Sequence, residues 1–116
     1  MTDVVYKICS RAEWQAALDA GEYSGSADDL RDGFIHFSRA HQLAGTAAKY
    51  FAGREDLVLL AVDAAALGAA LKHEPSRGGD LFPHLYGSLP VTCVLWSEPL
   101  PWSDGAHQWP ARLGSS

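Results

Sequence analysis

One run constrains this chain more than any other: "LVLLAVD", residues 57–63. It opens with six consecutive apolar residues. Such a run shows no alternation between a wet and a dry face, which is the pattern of a buried strand. Extended into "AAALGAAL", the apolar stretch is interrupted by Asp63 and is too short to cross a bilayer. It has to be covered by the rest of the chain.

The flanking segments read as strands and helices in irregular alternation. "VVYKIC" (4–9) is a strand by its β-branched and aromatic content. Ser10 and Glu13 in "SRAE" match a capping box, so "WQAALDA" continues as a helix that stops at Gly21. Trp14 and Leu18, four apart, should share its buried face. "EYSGSADDLRD" is polar and reads as a surface loop with at most a helical turn. "GFIHFS" is a second strand, and "RAHQLAGTAAKYFAG" a helix burying Leu43, Ala47, Tyr50 and Phe51 and stopped by Gly53. "AAALGAAL" is a short helix, and "VTCVLWSEPL" a further strand. Strands mixed with helices, without regular βαβ alternation, give an α+β fold.

At 116 residues, 47% of them hydrophobic and 20% charged, residues 1–116 fit one globular domain. The tail, 101–116, is expected to pack back on the body through Trp102 and Trp109. Cys9 and Cys93 lie in apolar runs and read as reduced core thiols. "MTDVVYK" lacks the basic and apolar regions of a secretory signal, so a cytoplasmic protein is expected, without membrane attachment. A net charge of −5 excludes a broad phosphate-binding surface and hence extended nucleic acid as a partner. A small nucleotide needs only a few local donors and remains compatible. The oligomeric state is not fixed by any of these features.

Two stretches carry chemistry. In "DGFIHFSRAHQ", side chains of a strand alternate, so Phe34, His36 and Ser38 share one face and Ile35 and Phe37 the other. The Ile35/Phe37 face is core, and the mixed His36 face suits the floor of a cleft. Ser38 falls where strand becomes helix and is a natural N-cap, with Arg39 adding charge to a helix start that favours an anion. The second stretch, "HEPSRGGDLFPHLYGSLP", is too rich in Gly and Pro for regular interior structure and reads as a long loop. It gathers His73, Glu74, Arg77, Asp80, His84 and Tyr86, the polar and aromatic groups a ligand site draws on. The histidines show no zinc-ligand spacing, and no metal is expected.

"DGFIHFS", "TAAKYF" and "EPSRGGDLFPHLYGSLP" together resemble a family of small bacterial domains of unassigned function (DUF952-like), grouped with the ADP-ribosyltransferase-like folds. The resemblance runs from "VYKI" through "VLWSEPL", and "FPHLYG" is its most specific element. Separately, "IHFS" is similar to the His-x-Ser strand of RNA 2′-phosphotransferases in that broader group. The resemblance implies split antiparallel sheets with flanking short helices and a cleft for NAD, used as substrate, between the sheets. On its first strand this chain offers Tyr6 and Lys7 where the broader group has His or Arg. For such a transferase we assign His36 to ribose or phosphate, Ser38 and Arg39 to the ligand's phosphates, Arg77 to ligand binding and Tyr86 to stacking on a ring. Glu74 or Glu98 would be the carboxylate, Glu74 preferred, and His84 a general acid or base. The expected function is an NAD-using, ADP-ribosyl-type transferase, or alternatively a non-catalytic module binding a nucleotide or small metabolite.

Overall fold

The computed structural model describes residues 3–76 and 79–114. In chain order the elements are β1 (Val4–Ser10), α1 (Arg11–Ala20), β2 (Glu22–Tyr23), α2 (Ala27–Asp32) and β3 (Ile35–His36). A 3₁₀ turn (Ala40–Gln42) leads into α3 (Leu43–Tyr50), followed by β4 (Leu57–Asp63), α4 (Ala64–Leu67), β5 (Leu71–Pro75) and β6 (Leu81–Leu85). Then come β7 (Leu89–Pro90), β8 (Val94–Leu100), β9 (Trp102–Ser103), β10 (Ala106–His107) and α5 (Ala111–Gly114). The fold is α+β with several antiparallel sheets.

The apolar run is the central strand of a three-stranded sheet ordered β1–β4–β8. Val58, Leu60 and Val62 point into one cluster with Val5, Ile35, Phe37 and Leu85. Leu57, Leu59 and Ala61 point into a second cluster with Ile8, Leu43, Ala47 and Leu100. Both faces of β4 are therefore dry, which is why its sequence shows no alternation. Each fully buried aliphatic side chain here stabilises the fold by roughly 1.5–3 kcal/mol relative to exposure.

A second three-stranded sheet has the order β3–β6–β5. The two sheets join at a single antiparallel bridge, with Tyr6 N–H donating to Ser38 C=O and Ser38 N–H to Tyr6 C=O, each at 2.8 Å. Helix α1 forms as its sequence dictates. Glu13 N–H donates to Ser10 Oγ at 3.0 Å, Ser10 N–H to Glu13 Oε1 at 2.8 Å, and Gly21 closes the helix at φ +87°.

Three expectations are corrected. The segment after Leu71 is not a loop: residues 71–75 and 81–85 form a hairpin in register from Leu71↔Leu85 to Pro75↔Leu81. Pro83 is tolerated because its carbonyl, not a missing N–H, bonds the next strand, accepting from Phe37 N–H at 2.9 Å. Leu18 is 48% exposed, and Ala17 takes the buried position beside Trp14. Tyr50 is 53% exposed at the end of α3. In the tail, Trp109 and Leu113 pack against the second cluster. Cys9 and Cys93 are both free thiols. Among the described residues no helix is long and apolar enough to cross a membrane.

Candidate functional site

Beyond the Tyr6–Ser38 bridge, β1 and β3 part, and a cleft of about 240 Å³ opens where they diverge. Lys7 and Ile8 line it from β1, His36 from β3 with Phe37 just after it, and His84 from β6. Helix α2 borders it with Asp29 and Asp32 and with its N-cap Ser26, and α3 with Thr46 and Tyr50.

Asp29 spans the split. Its Oδ2 accepts from Lys7 Nζ at 2.8 Å and from Ser26 N–H at 2.9 Å. Its Oδ1 accepts from the backbone N–H of His36 at 3.1 Å and from His36 Nδ1 at 2.6 Å. Where backbone pairing between β1 and β3 stops, this carboxylate replaces it with charge-assisted bonds. Burial alone would push the Asp29 carboxyl up. The hydrogen bond from His36 and the charge and hydrogen bond of Lys7 outweigh that and hold it well below the usual carboxylate range. Gly25 makes the approach feasible: at φ +115°, any Cβ there would sit 2.8 Å from Asp29 Cβ. The other ring nitrogen of His36, Nε2, lies 3.0 Å from Asp32 Oδ2.

A second carboxylate–histidine pair lies on the neighbouring strands. Register places His36 opposite His84, with ring centroids 5.4 Å apart. His84, only 5% exposed, has Nδ1 at 2.8 Å from Glu74 Oε1, and the same oxygen accepts from Tyr86 Oη at 2.7 Å. Those two hydrogen bonds, Tyr86's the larger, hold the Glu74 carboxyl below its ordinary value. An ionised carboxylate only accepts, so Nδ1 of His84 carries a proton, and in the neutral ring Nε2 is the acceptor. Nε2 has no protein partner among the described residues, and the ring lines the cleft. Phe34 stacks on His84 at 4.1 Å between centroids, 21° from parallel, and touches Tyr86 at 5.2 Å, fixing both rings. A base held in one tautomer beside a concavity is equipped for proton transfer.

The structure thus brings four of the sequence-read residues together: His36, Glu74, His84 and Tyr86. Tyr86 bonds Glu74 from outside the cleft and does not line it. Ser38 lines the cleft but is not a helix cap. Its N–H pairs with Tyr6, its hydroxyl lies 3.1 Å from Thr46 Oγ1, and the 3₁₀ turn is capped instead at Arg39, whose N–H donates to Gln42 Oε1 at 2.8 Å. Arg39 turns away from the cleft onto Asp3 at 3.1 Å. Glu98 pairs with Arg112 at 3.3 Å and is not among the cleft-lining residues. Arg77 lies outside the described residues. Burial pushes the Cys9 thiol up to about 12, so it is no nucleophile at neutral pH.

Sequence reading missed Asp29 and Asp32 and gave Lys7 no partner. Both signals were present. A lysine within an apolar strand calls for a buried carboxylate, and Ser26 with Asp29 repeats the capping-box spacing of Ser10 with Glu13.

The comparisons agree with the sequence-level resemblance at the level of family. The chain is similar to protein CC0527 from Caulobacter crescentus. Its crystal structure is 51% identical, with 97% of this chain and 99% of that chain covered and a TM-score of 0.91. The solution NMR structure of the same protein is 52% identical over 90% of each chain, with a TM-score of 0.81. No curated protein matches. The family described as "Protein of unknown function (DUF952)" matches residues 8–97, and with most of its length so matched this chain belongs to that family.

Proposed function

We propose that the cleft binds a nucleotide- or NAD-like small molecule and that His84, oriented by Glu74, moves a proton in a ribosyl-transfer reaction of the ADP-ribosyltransferase-like kind. The observation that carries this reading is the His84 ring. It is buried, tied at Nδ1 to an ionised carboxylate, and its Nε2 has no partner among the described residues at the cleft. Two three-stranded antiparallel sheets that meet at one bridge and part around that cleft support the fold assignment.

In this reading a hydroxyl nucleophile gives its proton to His84 Nε2 as its oxygen bonds to ribose C1′. The base leaves with the electrons of the broken C1′–N bond. Glu74 holds the tautomer and stabilises the imidazolium that forms, and Phe34 and Tyr86 keep the pair in place. His36, with both ring nitrogens turned to Asp29 and Asp32, orders the wall and does not handle substrate.

A second reading, a binding module without turnover, is favoured by one observation: Arg39 pairs with Asp3 away from the cleft, which removes a cation expected at the ligand's phosphates. Ligand-observed NMR with NAD, ADP-ribose and mononucleotides, run beside a nicotinamide-release assay, tests both. Turnover that falls about a hundredfold or more in His84→Ala, and less in Glu74→Gln, supports transfer. Binding without release supports the module, and no binding by any of these probes overturns both.

A further inference from the structure

Which ligand fits is set by the charges already present in the cleft. Among the described residues Lys7 and Arg31 are the basic side chains that line it besides His36, and each is already paired. Lys7 Nζ sits on Asp29 at 2.8 Å with both side chains buried. Arg31 reaches Asp28 through Nη1 at 3.1 Å and Asp32 through Nε at 3.1 Å.

Backbone donors nearby are engaged as well. Ser26 N–H goes to Asp29 and Asp29 N–H to Ser26 Oγ, while Ser38 N–H goes to Tyr6 and Arg39 N–H to Gln42. No free cation among these described residues is left for a phosphate. Among the described residues three carboxylates, Asp28, Asp29 and Asp32, line it beside Lys7, Arg31 and His36. Apart from Ile8, the apolar part of the lining is aromatic, with Tyr6, Phe37, Tyr50, Phe51 and Phe82. His84 Nε2 adds an acceptor for a ligand hydroxyl.

Size points the same way. Pockets for drug-sized ligands run to ~300–1,000 Å³, whereas this cleft offers about 240 Å³. One ring and one sugar fit that volume better than a dinucleotide.

We infer that the cleft takes a phosphate-free riboside of a positively charged aromatic base, on the strength of its paired cations, its carboxylates, its aromatic walls and its volume. The inference rests on the ribosyl-transfer reading and narrows its substrate. The charged ring meets aromatic faces and carboxylates, both of which attract a cation, and the ribose hydroxyls meet His84. With water as nucleophile, its proton passes to His84 Nε2, C1′–O forms, and C1′–N breaks. The base departs neutral, because the bonding electrons cancel its charge, and free ribose is the other product.

Isothermal titration of the full chain with nicotinamide riboside, nicotinamide mononucleotide, ADP-ribose and adenosine decides the matter. The riboside should bind roughly tenfold or more tightly than the mononucleotide, because the phosphate adds like charge beside Asp28 and Asp32. It should also bind more tightly than neutral adenosine, and Asp32→Asn, an exposed rim substitution, should narrow the gap to the mononucleotide. If mononucleotide or ADP-ribose binds as well as the riboside, the inference is overturned while the ribosyl-transfer reading stands. Adenosine equal to the riboside also overturns it. Silence from all four probes overturns the inference and that reading together.

Discussion

One oxygen of Asp29 accepts both the backbone N–H of His36, at 3.1 Å, and its ring Nδ1–H, at 2.6 Å. The other oxygen holds Lys7 on the opposite strand at 2.8 Å. The two sheets are therefore tied twice, by the Tyr6–Ser38 backbone bridge and then, where the strands diverge, through one buried side chain. The cleft exists because the second tie is longer than a backbone hydrogen bond pair.

Asp29→Asn keeps the shape and removes the charge that offsets Lys7. A buried charge left without its partner costs about 3–5 kcal/mol, so urea unfolding should show a loss of that order. Adding Lys7→Met should restore much of it, since both charges are then gone. A loss below about 1 kcal/mol would show that Lys7 finds water.

His36→Ala removes a half-exposed ring but leaves Asp29 bonded to Lys7 and Ser26. The expected cost is about 1–2 kcal/mol. Because both ring nitrogens face carboxylates, affinity for a cleft ligand should fall less than in His84→Ala. Equal or larger loss of affinity in the His36 variant would assign the ring to ligand contact.

Stability should also depend on acid in a defined direction. Asp29 and Glu74 are held below their ordinary values in the folded chain. Their contribution is complete above the unfolded carboxylate range, about pH 4, and is lost as pH falls through the folded values. Urea midpoints should be flat from pH 7 to 5 and drop below about pH 4. Asp29→Asn should show a shallower drop, and an identical pH profile would remove Asp29 as its main source.

Tyr23 is 2% exposed and its hydroxyl has no hydrogen-bond partner among the described residues. Desolvation pushes that hydroxyl well above its ordinary range. Tyr23→Phe deletes the orphaned oxygen and keeps the ring 5.9 Å from Lys7 Nζ. Thermal unfolding should show unchanged stability or a gain of about 1 kcal/mol. A loss larger than that would reveal a partner for the hydroxyl.

Local physics was enough to read the elements whose signals lie within a few residues. Helix α1 was fixed by Ser10, Glu13 and Gly21, and β4 by its unbroken apolar run. The hairpin of β5 and β6 was hidden, because Pro75, Pro83 and the glycines outweigh any local strand signal, and pairing with β5 on one side and β3 on the other makes residues 81–85 a strand. The partners of the site were hidden for the same reason. His36 and His84 are far apart in sequence and meet through strand register. Asp29 joins Lys7 and His36 because α2 folds over a gap between two sheets. Sequence by itself determined which residues could carry charge and which had to be buried, since burial and capping are local properties of side chains. Tertiary structure alone decided which charges would neutralise one another and which histidine nitrogen would stay open, because a hydrogen bond depends on distances that no short-range pattern encodes.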